Sequence, residues 1–405
     1  MLHTARAARA ELRLSTLARQ VRESDHLYGL SPQDPGPGRV IREGLAWLAR
    51  AQDGSSTADG GVARHFSLLD GWGPSYPETT GYIVPTFLDH AARTGDPRPA
   101  RRARRMLDWL VSLQMPDGAF PGGTVGQEPV VPVTFNTGQI LIGLASGAAA
   151  FGEPYRTAMR RAADWLVETQ DPDGAWRSHP TPFAKPGEKA YETHVAWGLF
   201  EAARLERDAP YATAALANVR WALGRQQPNG WFADCCLDEP DRPLTHTLGY
   251  VLRGLVEAFR FTGDPQLLEA ALCTADGLLA ATHPGGLLPG RLGPDWQATA
   301  EWVCLTGTAQ AACCWLLLHA ETGEPRFLQA AREANRFVRR TVWTSEPSGL
   351  RGGVKGSFPV DGGYAPYQLL NWATKFVVDA NQLELATERG AAPALFPGAD
   401  RRPPA

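Results

Sequence analysis

The sequence has no apolar run long enough to cross a membrane and no apolar stretch near its start. No such run reaches the roughly 18 residues that a membrane helix needs, and Arg and Glu recur throughout residues 1–22. These features argue against a membrane span and a secretory leader. Lys and Arg are not gathered into a patch with interleaved aromatic residues, and the formal net charge is −3. A general nucleic-acid-binding function is therefore not expected.

Cysteine is scarce, with six in 405 residues, at positions 235, 236, 273, 304, 313 and 314. Adjacent cysteines do not suit the disulfide framework of a small secreted protein. We therefore expect a reduced, cytoplasmic protein. The contents of hydrophobic and charged residues, 43% and 20%, are those of an ordinary globular chain.

What the sequence does contain is a repeat with a spacing of 56 residues. Segments 108–120, 164–176 and 220–232 each carry a tryptophan, then a glutamine, then a glycine. The repeated positions are Trp109, Trp165 and Trp221, then Gln114, Gln170 and Gln226, then Gly118, Gly174 and Gly230. Gly286 extends the glycine series, and Trp47 with Gln52 keeps the same offset one unit earlier. Such self-similarity indicates a repeat architecture.

A second marker lies between the repeats, a Gly-Asp-Pro or Gly-Glu-Pro string. It occurs at 95–97, 152–154, 263–265 and 323–325. Gly suits the left-handed residue after a helix, and Pro suits the first turn of the next one. The unit is therefore helix, Asp-Gly loop, helix and tight turn. Predicted outer helices lie near 38–52, 98–114, 155–170, 211–227, 265–281 and 324–341, and inner helices near 78–94, 135–151, 191–206, 245–262, 301–321 and 365–386.

Six hairpins of this kind predict an all-α fold, the (α/α)6 toroid. The inner helices, of which 135–151 is the clearest, are apolar nearly all round and are expected to be buried. An open solenoid is the alternative, but the chain has no polar capping units. We expect an N-terminal helix and Pro/Gly linker at 1–37, the toroid domain at 38–388 and a disordered tail at 389–405.

The functional site is expected where the long Asp-Gly loops and the inner-helix N-termini share one end of the ring. Polar and aromatic residues cluster at these helix starts. The candidate catalytic residues are Glu78, Tyr82, Glu192, His194, His246, Tyr250 and Lys375. The candidate substrate-binding residues are Trp72, Tyr76, Asn136, Gln139, Trp231, Asp234, Trp296, Gln310, Tyr364, Tyr367 and Asn371.

Each of these residues also has a structural interpretation. Threonines at the helix starts are typical N-caps, and the periodic tryptophans suit wedges between hairpins. Lys375 lies four residues before Asp379, the spacing of an ion pair on one helix face. A buried charge is costly unless it is paired or functional, so Lys375 admits both interpretations.

Several chemistries fit these residue types. Glycosidic hydrolysis needs two carboxyl groups, available among Glu78, Glu192, Asp234, Glu301 and Asp361. A lyase or epimerase would pair a His, Tyr or Lys base with an electrostatic stabiliser. Asp234, Cys236 and His246 offer zinc-ligand types at a spacing that matches no closed structural site. Terpenoid cyclisation by protonation needs an unusually acidic Asp cluster, typically an Asp-x-Asp-Asp string, and that string does not occur.

The repeated Gln-x-x-x-Gly-x-Trp/Phe resembles the repeat motif of squalene–hopene cyclases and protein prenyltransferases, which are built on αα-toroids. Asp234-x-Cys236 is similar to the Asp-x-Cys of the prenyltransferase zinc site. The strings 76–82, 135–139, 245–247, 352–359, 362–367 and 371–375 resemble those of an uncharacterised bacterial family of toroid proteins. That layout is similar to six-hairpin glycosidases, polysaccharide lyases and sugar epimerases.

The sequence thus favours a carbohydrate-active enzyme, a hydrolase, lyase or epimerase, acting on a saccharide or glycoconjugate with no cofactor. The alternative is an isoprenoid cyclase or prenyltransferase-like enzyme, and a second alternative is a non-catalytic scaffold. A saccharide site predicts an open polar cleft with two acid/base groups. An isoprenoid site predicts a deep, largely apolar cavity with one acid. A scaffold predicts no ionisable cluster at the mouth.

Overall fold

The computed structural model describes residues 14–207 and 209–391, and thirteen helices occur within these ranges. One precedes the ring, α1 (Thr16–Leu27). The outer helices are α2 (Pro37–Asp53), α4 (Pro97–Leu113), α6 (Tyr155–Glu168), α8 (Ala209–Leu223), α10 (Pro265–Ala280) and α12 (Pro325–Arg339). The inner helices are α3 (Pro77–Thr94), α5 (Thr134–Phe151), α7 (Thr193–Glu206), α9 (Thr245–Thr262), α11 (Leu305–Thr322) and α13 (Asn371–Glu388). Both alternating sets fall where the repeat places them.

The inner helices form a closed ring. Each packs against the inner helix before and after it, and α13 returns to pack against α3 and α2. At the closing contact, the Thr86 hydroxyl donates to Asp379 at 2.7 Å, and His90 Nδ1 lies 2.9 Å from Gln382 Oε1. The predicted (α/α)6 toroid is confirmed, and the open solenoid is wrong.

The 56-residue register arises from contacts between one Asp-Gly loop and the next outer helix. Gln114 Nε2 donates to the carbonyl oxygens of Gly118, 3.0 Å away in its own loop, and Ala158 on α6, at 2.9 Å. Gln170 repeats this pair of bonds one unit later. The glycine has φ +102° at Gly118, and a Cβ there would lie 2.3 Å from the carbonyl oxygen of Arg161. Only glycine permits this approach.

The glycine contact recurs around the ring. A Cβ on each corresponding loop glycine would also lie against the backbone of the next outer helix. The pairs are Gly174 with Ala217, Gly230 with Cys273, Gly286 with Glu333 and Gly352 with Glu43. Because Glu43 lies on α2, the last loop contacts the first outer helix. The repeat motif therefore encodes ring closure.

Threonines in the first turn of the inner helices join those helices to the preceding loops. The Thr80, Thr137 and Thr374 hydroxyls each donate to the carbonyl four residues earlier. Each also accepts a backbone N–H from the preceding loop, at 3.0–3.1 Å. The N-caps of α3, α5, α7, α9 and α13 make no side-chain cap hydrogen bond. These threonines therefore attach the preceding loops to the inner helices and do not act as the expected N-caps.

Short strands in the loops are the main departure from the predicted helices. They are β1 (His65–Ser67), β2 (Gly71–Trp72), β3 (Val303–Cys304), β4 (Val354–Lys355), β5 (Ser357–Phe358) and β6 (Gln368–Leu370). The order β2-β1-β6-β4 joins the first and last loops, and β3 pairs with β5. Consequently α11 and α13 begin later than the predicted 301 and 365, since the residues before them pair as strands.

Helix α1 docks on the last long loop of the ring. Asp25 and Lys355 form a buried ion pair with Nζ–Oδ1 at 2.6 Å, and Asp25 also accepts the N–H of Val360. The expected N-terminal helix is therefore present in the described part of 1–37. Of the expected tail at 389–405, residues 392–405 lie outside the described residues.

Candidate functional site

A cavity of about 290 Å³ opens at the end of the ring where the inner helices begin. Its ionisable lining groups other than tyrosine are Arg64, Glu78 and His246. Eight aromatic rings form most of its wall, namely Tyr76, Tyr82, Phe135, Phe183, Tyr191, Tyr250, Tyr364 and Trp372. The cavity is therefore largely aromatic, with one carboxyl group among the described residues that line it.

Glu78 lies in the first turn of α3, directly after Tyr76 and Pro77. Its side chain is buried, and the Tyr76 hydroxyl donates a hydrogen bond to Oε2. Burial raises the pKa of Glu78 to about 7, against the opposing effects of the Tyr76 hydrogen bond and the Arg64 charge. Glu78 can therefore hold its proton near neutral pH.

His246 and Tyr250 lie one turn apart on α9. The His246 ring packs against the Tyr364 ring with centroids 4.7 Å apart, and its Nδ1 has no hydrogen-bond partner among the described residues. Burial lowers the pKa of His246 to about 3, so the imidazole is neutral at physiological pH. The Tyr250 and Tyr82 hydroxyls are 3.4 Å apart.

Two predicted catalytic residues lie behind the aromatic wall. The His194 ring packs on Tyr250 at 4.6 Å and its Nδ1 contacts Gln139 Oε1 at 2.6 Å. Lys375 is 1% exposed, and its Nζ lies 2.8 Å from Asp379 Oδ2. Neither His194 nor Lys375 is among the cavity-lining residues. The geometry gives Lys375 the ion pair that its spacing from Asp379 suggests.

The remaining predicted carboxylates are separated from the cavity. Glu192 is buried in the short 3₁₀ helix Ala190–Glu192, where burial raises its pKa well above the usual range. The Asp234 side chain is 44% exposed and lies 3.4 Å from Arg225. Asp361 pairs with His26 at 2.9 Å, and Glu301 is exposed. The described residues thus place no second carboxylate beside Glu78 in the cavity.

Most predicted binding residues outside the cavity make structural contacts. The Asn136 side chain donates a hydrogen bond to the carbonyl of Pro121, and the Asn371 side chain donates one to the carbonyl of Ala63. The Trp296 indole N–H donates to the carbonyl of Asn229.

Trp72 packs on Trp47 at 5.1 Å. Gln310 is buried where α11 faces Gly249 on α9, and Trp231 is buried in its loop. The Tyr367 carbonyl accepts the N–H of Leu68, joining the last loop to the first. Of the predicted site residues, the cavity brings together Tyr76, Glu78, Tyr82, His246, Tyr250 and Tyr364.

Arg64 and Phe183 also line the cavity, from long loops, and are not among the predicted site residues. The Arg64 guanidinium lies over the rings of Tyr76, Phe183 and Trp372 at 5.8, 5.7 and 5.1 Å. Neither residue belongs to the repeat, so no periodic signal marks it. Phe135, Tyr191 and Trp372 stand in the helix-start strings, which did signal their position.

The zinc hypothesis receives no geometric support. Within 14–207 and 209–391, no three His, Cys, Asp or Glu side chains are grouped so that they could hold a metal ion. The Asp234 carboxylate is partly exposed, whereas His246 is buried in the cavity wall. Asp234, Cys236 and His246 therefore do not form a site.

Comparison with protein families and curated sequences identifies terpene cyclase relatives. Residues 75–252 match the squalene-hopene cyclase C-terminal domain. An ent-copalyl diphosphate synthase from Streptomyces sp. (strain KO-3988) is 36% identical over 102 residues, 24% of this chain and 18% of that protein. A copalyl diphosphate synthase from Streptomyces cyslabdanicus is 30% identical over 150 residues, 36% of this chain and 23% of that protein. The matches thus span about a fifth of these curated relatives.

Solved structures match over most of the chain at low sequence identity. An unsaturated glucuronyl hydrolase specific for heparin has a TM-score of 0.70 and 14% identity, covering 88% of this chain and 99% of its own. A sugar epimerase from a ruminal bacterium has a TM-score of 0.67 and 12% identity, covering 87% and 98%. Such matches show the fold alone.

Across residues 14–207 and 209–391, no helix has the length and apolar character that crossing a membrane requires.

The solved structures match the fold of the chain, whereas the family model matches part of its sequence. The chain has the six-hairpin toroid fold of these carbohydrate enzymes, and its residues 75–252 resemble the C-terminal domain of squalene-hopene cyclases.

Proposed function

We propose that the protein is an isoprenoid cyclase that starts its reaction by protonating a carbon–carbon double bond. The observation that carries this proposal is the aromatic cavity with one buried carboxyl group, Glu78, whose pKa lies near 7. The sequence relatives support the same chemistry, because two of them are copalyl diphosphate synthases. This function is the alternative that the sequence offers, and these observations favour it over the carbohydrate-active enzyme.

The two other hypotheses fit the cavity less well. A saccharide hydrolase needs a second carboxyl group opposite the first, and none of the described residues supplies it in the cavity. A scaffold predicts no ionisable cluster at the mouth, where Arg64, Glu78 and His246 lie. The solved carbohydrate enzymes support the toroid architecture but carry no substrate over to this chain.

In the proposed reaction, neutral Glu78 gives its proton to the terminal double bond of a linear isoprenyl chain. A C–H bond forms, and the remaining carbon becomes a tertiary carbocation. The electron pair of the next double bond attacks that cation and closes a ring through a new C–C bond. Loss of a proton from a carbon beside the final cation restores a double bond, so the product is an isomer of the substrate.

The cavity residues have distinct roles in these steps. The Tyr76 hydroxyl, which already donates to Glu78, stabilises the carboxylate left after proton transfer. The aromatic faces stabilise the moving positive charge through cation–π interactions, each about 0.5–2 kcal/mol. The neutral His246 imidazole, with its unpartnered Nδ1, accepts the final proton and passes it to solvent. Glu78 regains its proton from water before the next turnover.

Product analysis with purified protein tests this proposal. Farnesyl and geranylgeranyl diphosphate are incubated with wild type, E78Q and E192Q, and the products are dephosphorylated and identified by gas chromatography and mass spectrometry. We expect cyclic isomers from wild type and E192Q and none from E78Q, with all three proteins folded. Loss of product in E192Q but not in E78Q would assign the acid to Glu192 instead. No cyclic product from wild type with either substrate or with squalene would contradict the proposed function.

A further inference from the structure

Arg64 is a cation in the cavity wall, where it lies within electrostatic range of Glu78. Among the described residues it forms no ion pair, and its Nε is buried without a hydrogen-bond partner. Two other arginines of the long loops do form ion pairs. Arg291 pairs with Asp238 and Glu239, and Arg225 pairs with Glu188. The Arg64 guanidinium therefore has no ion-pair partner among the described residues and can bind a ligand that enters the cavity.

The position of Arg64 is fixed by its surroundings. Its N–H donates to the Pro74 carbonyl at 2.8 Å, and its own carbonyl accepts the N–H of Asn371 at 3.2 Å. The three rings of Tyr76, Phe183 and Trp372 hold the guanidinium by cation–π contacts, and these contacts occupy none of its N–H donors with an acceptor oxygen. A planar guanidinium held in place is suited to two-pronged binding of a phosphate group.

The helix N-termini add positive potential around the same mouth. Inner helices α3, α5, α7, α9 and α13 begin there, and none of their N-cap side chains accepts a hydrogen bond from a first-turn N–H group. Helix N-termini favour anions. Two of these helices contribute cavity residues directly, Glu78 from α3 and His246 from α9. An anionic group at the mouth would thus meet favourable charge on several sides.

We propose that Arg64 binds the anionic head group of the substrate, a diphosphate ester, while the hydrocarbon chain lies among the aromatic rings. This proposal rests on the proposed function for its choice of a diphosphate. Arg64 lies outside residues 75–252, so the matched cyclase domain does not include it. Arg64 would then select diphosphate-bearing chains over uncharged ones and hold the chain in one direction relative to Glu78.

Calorimetric titration with inorganic diphosphate tests whether Arg64 binds the head group, without relying on turnover. We expect wild type to bind one equivalent and R64Q to bind it at least about tenfold more weakly, the loss of one hydrogen-bonded charge. The matched control is R104Q, since Arg104 also lies over an aromatic ring, Phe151 at 4.7 Å, but on an outer helix away from the cavity. R104Q should bind as wild type does.

Each other outcome decides the matter. Equal affinity in wild type and R64Q, equal losses in R64Q and R104Q, or binding of glucuronate but not diphosphate would overturn the proposal. If R64Q does not fold, R64M, which keeps an apolar stem among the rings, is titrated with the same criteria.

Turnover supplies a second readout, in which R64Q should raise KM for geranylgeranyl diphosphate about tenfold and leave KM for geranylgeraniol unchanged. Diphosphate binding that depends on Arg64 but accompanies no cyclisation would reject the proposed reaction and leave the anion site standing.

Discussion

Replacing Glu78 by glutamine should change how the stability of the protein depends on pH. In the folded protein burial raises the Glu78 pKa to about 7, whereas the unfolded chain titrates near the usual 4.5. Between these values the folded state binds more protons than the unfolded state, so the free energy of unfolding falls as pH rises. The stabilisation is fully present below pH 4.5 and is lost through about pH 7.

The size of this effect follows from the displaced pKa. A rise from 4.5 to about 7 corresponds to about 3 kcal/mol, as an order of magnitude. Glutamine has the shape of the neutral acid and does not titrate. The unfolding free energy of E78Q should therefore gain about 3 kcal/mol relative to wild type between pH 4.5 and pH 8.

Urea unfolding followed by tryptophan fluorescence at pH 4.5, 6, 7 and 8 measures this difference. E301Q, which removes an exposed carboxyl group, is the control and should show no such gain. A constant difference between E78Q and wild type across this range would refute the reasoning. Glu78 would then ionise as an ordinary surface acid and could not hold a proton for catalysis.

Three further outcomes are expected. G118A should lose about 3 kcal/mol of stability and G95A only about 1 kcal/mol. Both glycines have positive φ, but only at Gly118 would a Cβ lie against the backbone of another helix. Equal losses for the two variants in chemical denaturation would contradict the loop contact. K375M should lower the free energy of unfolding by about 3–5 kcal/mol, because Asp379 is left buried without its ion-pair partner, and adding D379L should recover most of that loss. A K375M protein that is stable but has no turnover would instead make Lys375 catalytic. Turnover by wild type should fall as pH rises through about 7, and H246A should lower the rate without moving that midpoint, since the pKa of His246 lies near 3.

The fold could be predicted from sequence because its repeat is a contact that each hairpin makes with the next. Gln114 donates to a backbone carbonyl of α6, and Gly118 lies too close to another one to carry a Cβ. Gln170 and Gly174 make the same two contacts one hairpin later. Such contacts leave a fixed spacing in the chain. The short strands left no comparable signal, because β1 and β6 pair across more than 300 residues.

The site could be predicted only in part. The inner helices begin at the end of the ring that carries the cavity, and Glu78, His246 and Tyr250 of the predicted residues line it. Which face of each helix meets the cavity depends on ring curvature, and His194 and Lys375 therefore lie behind the wall. The carbohydrate hypothesis assumed that several carboxylates would meet, but the described structure disperses them among loops and ion pairs.

The central claim, proton-initiated cyclisation by Glu78, is tested most directly by running the reaction in D₂O with geranylgeranyl diphosphate. Protonation from Glu78, which exchanges with solvent, predicts a cyclic product that carries one deuterium on a carbon and retains its diphosphate. E78Q should form none of it. A cyclic product without deuterium and with release of inorganic diphosphate would contradict the account, because the reaction would then begin by ionisation of the ester.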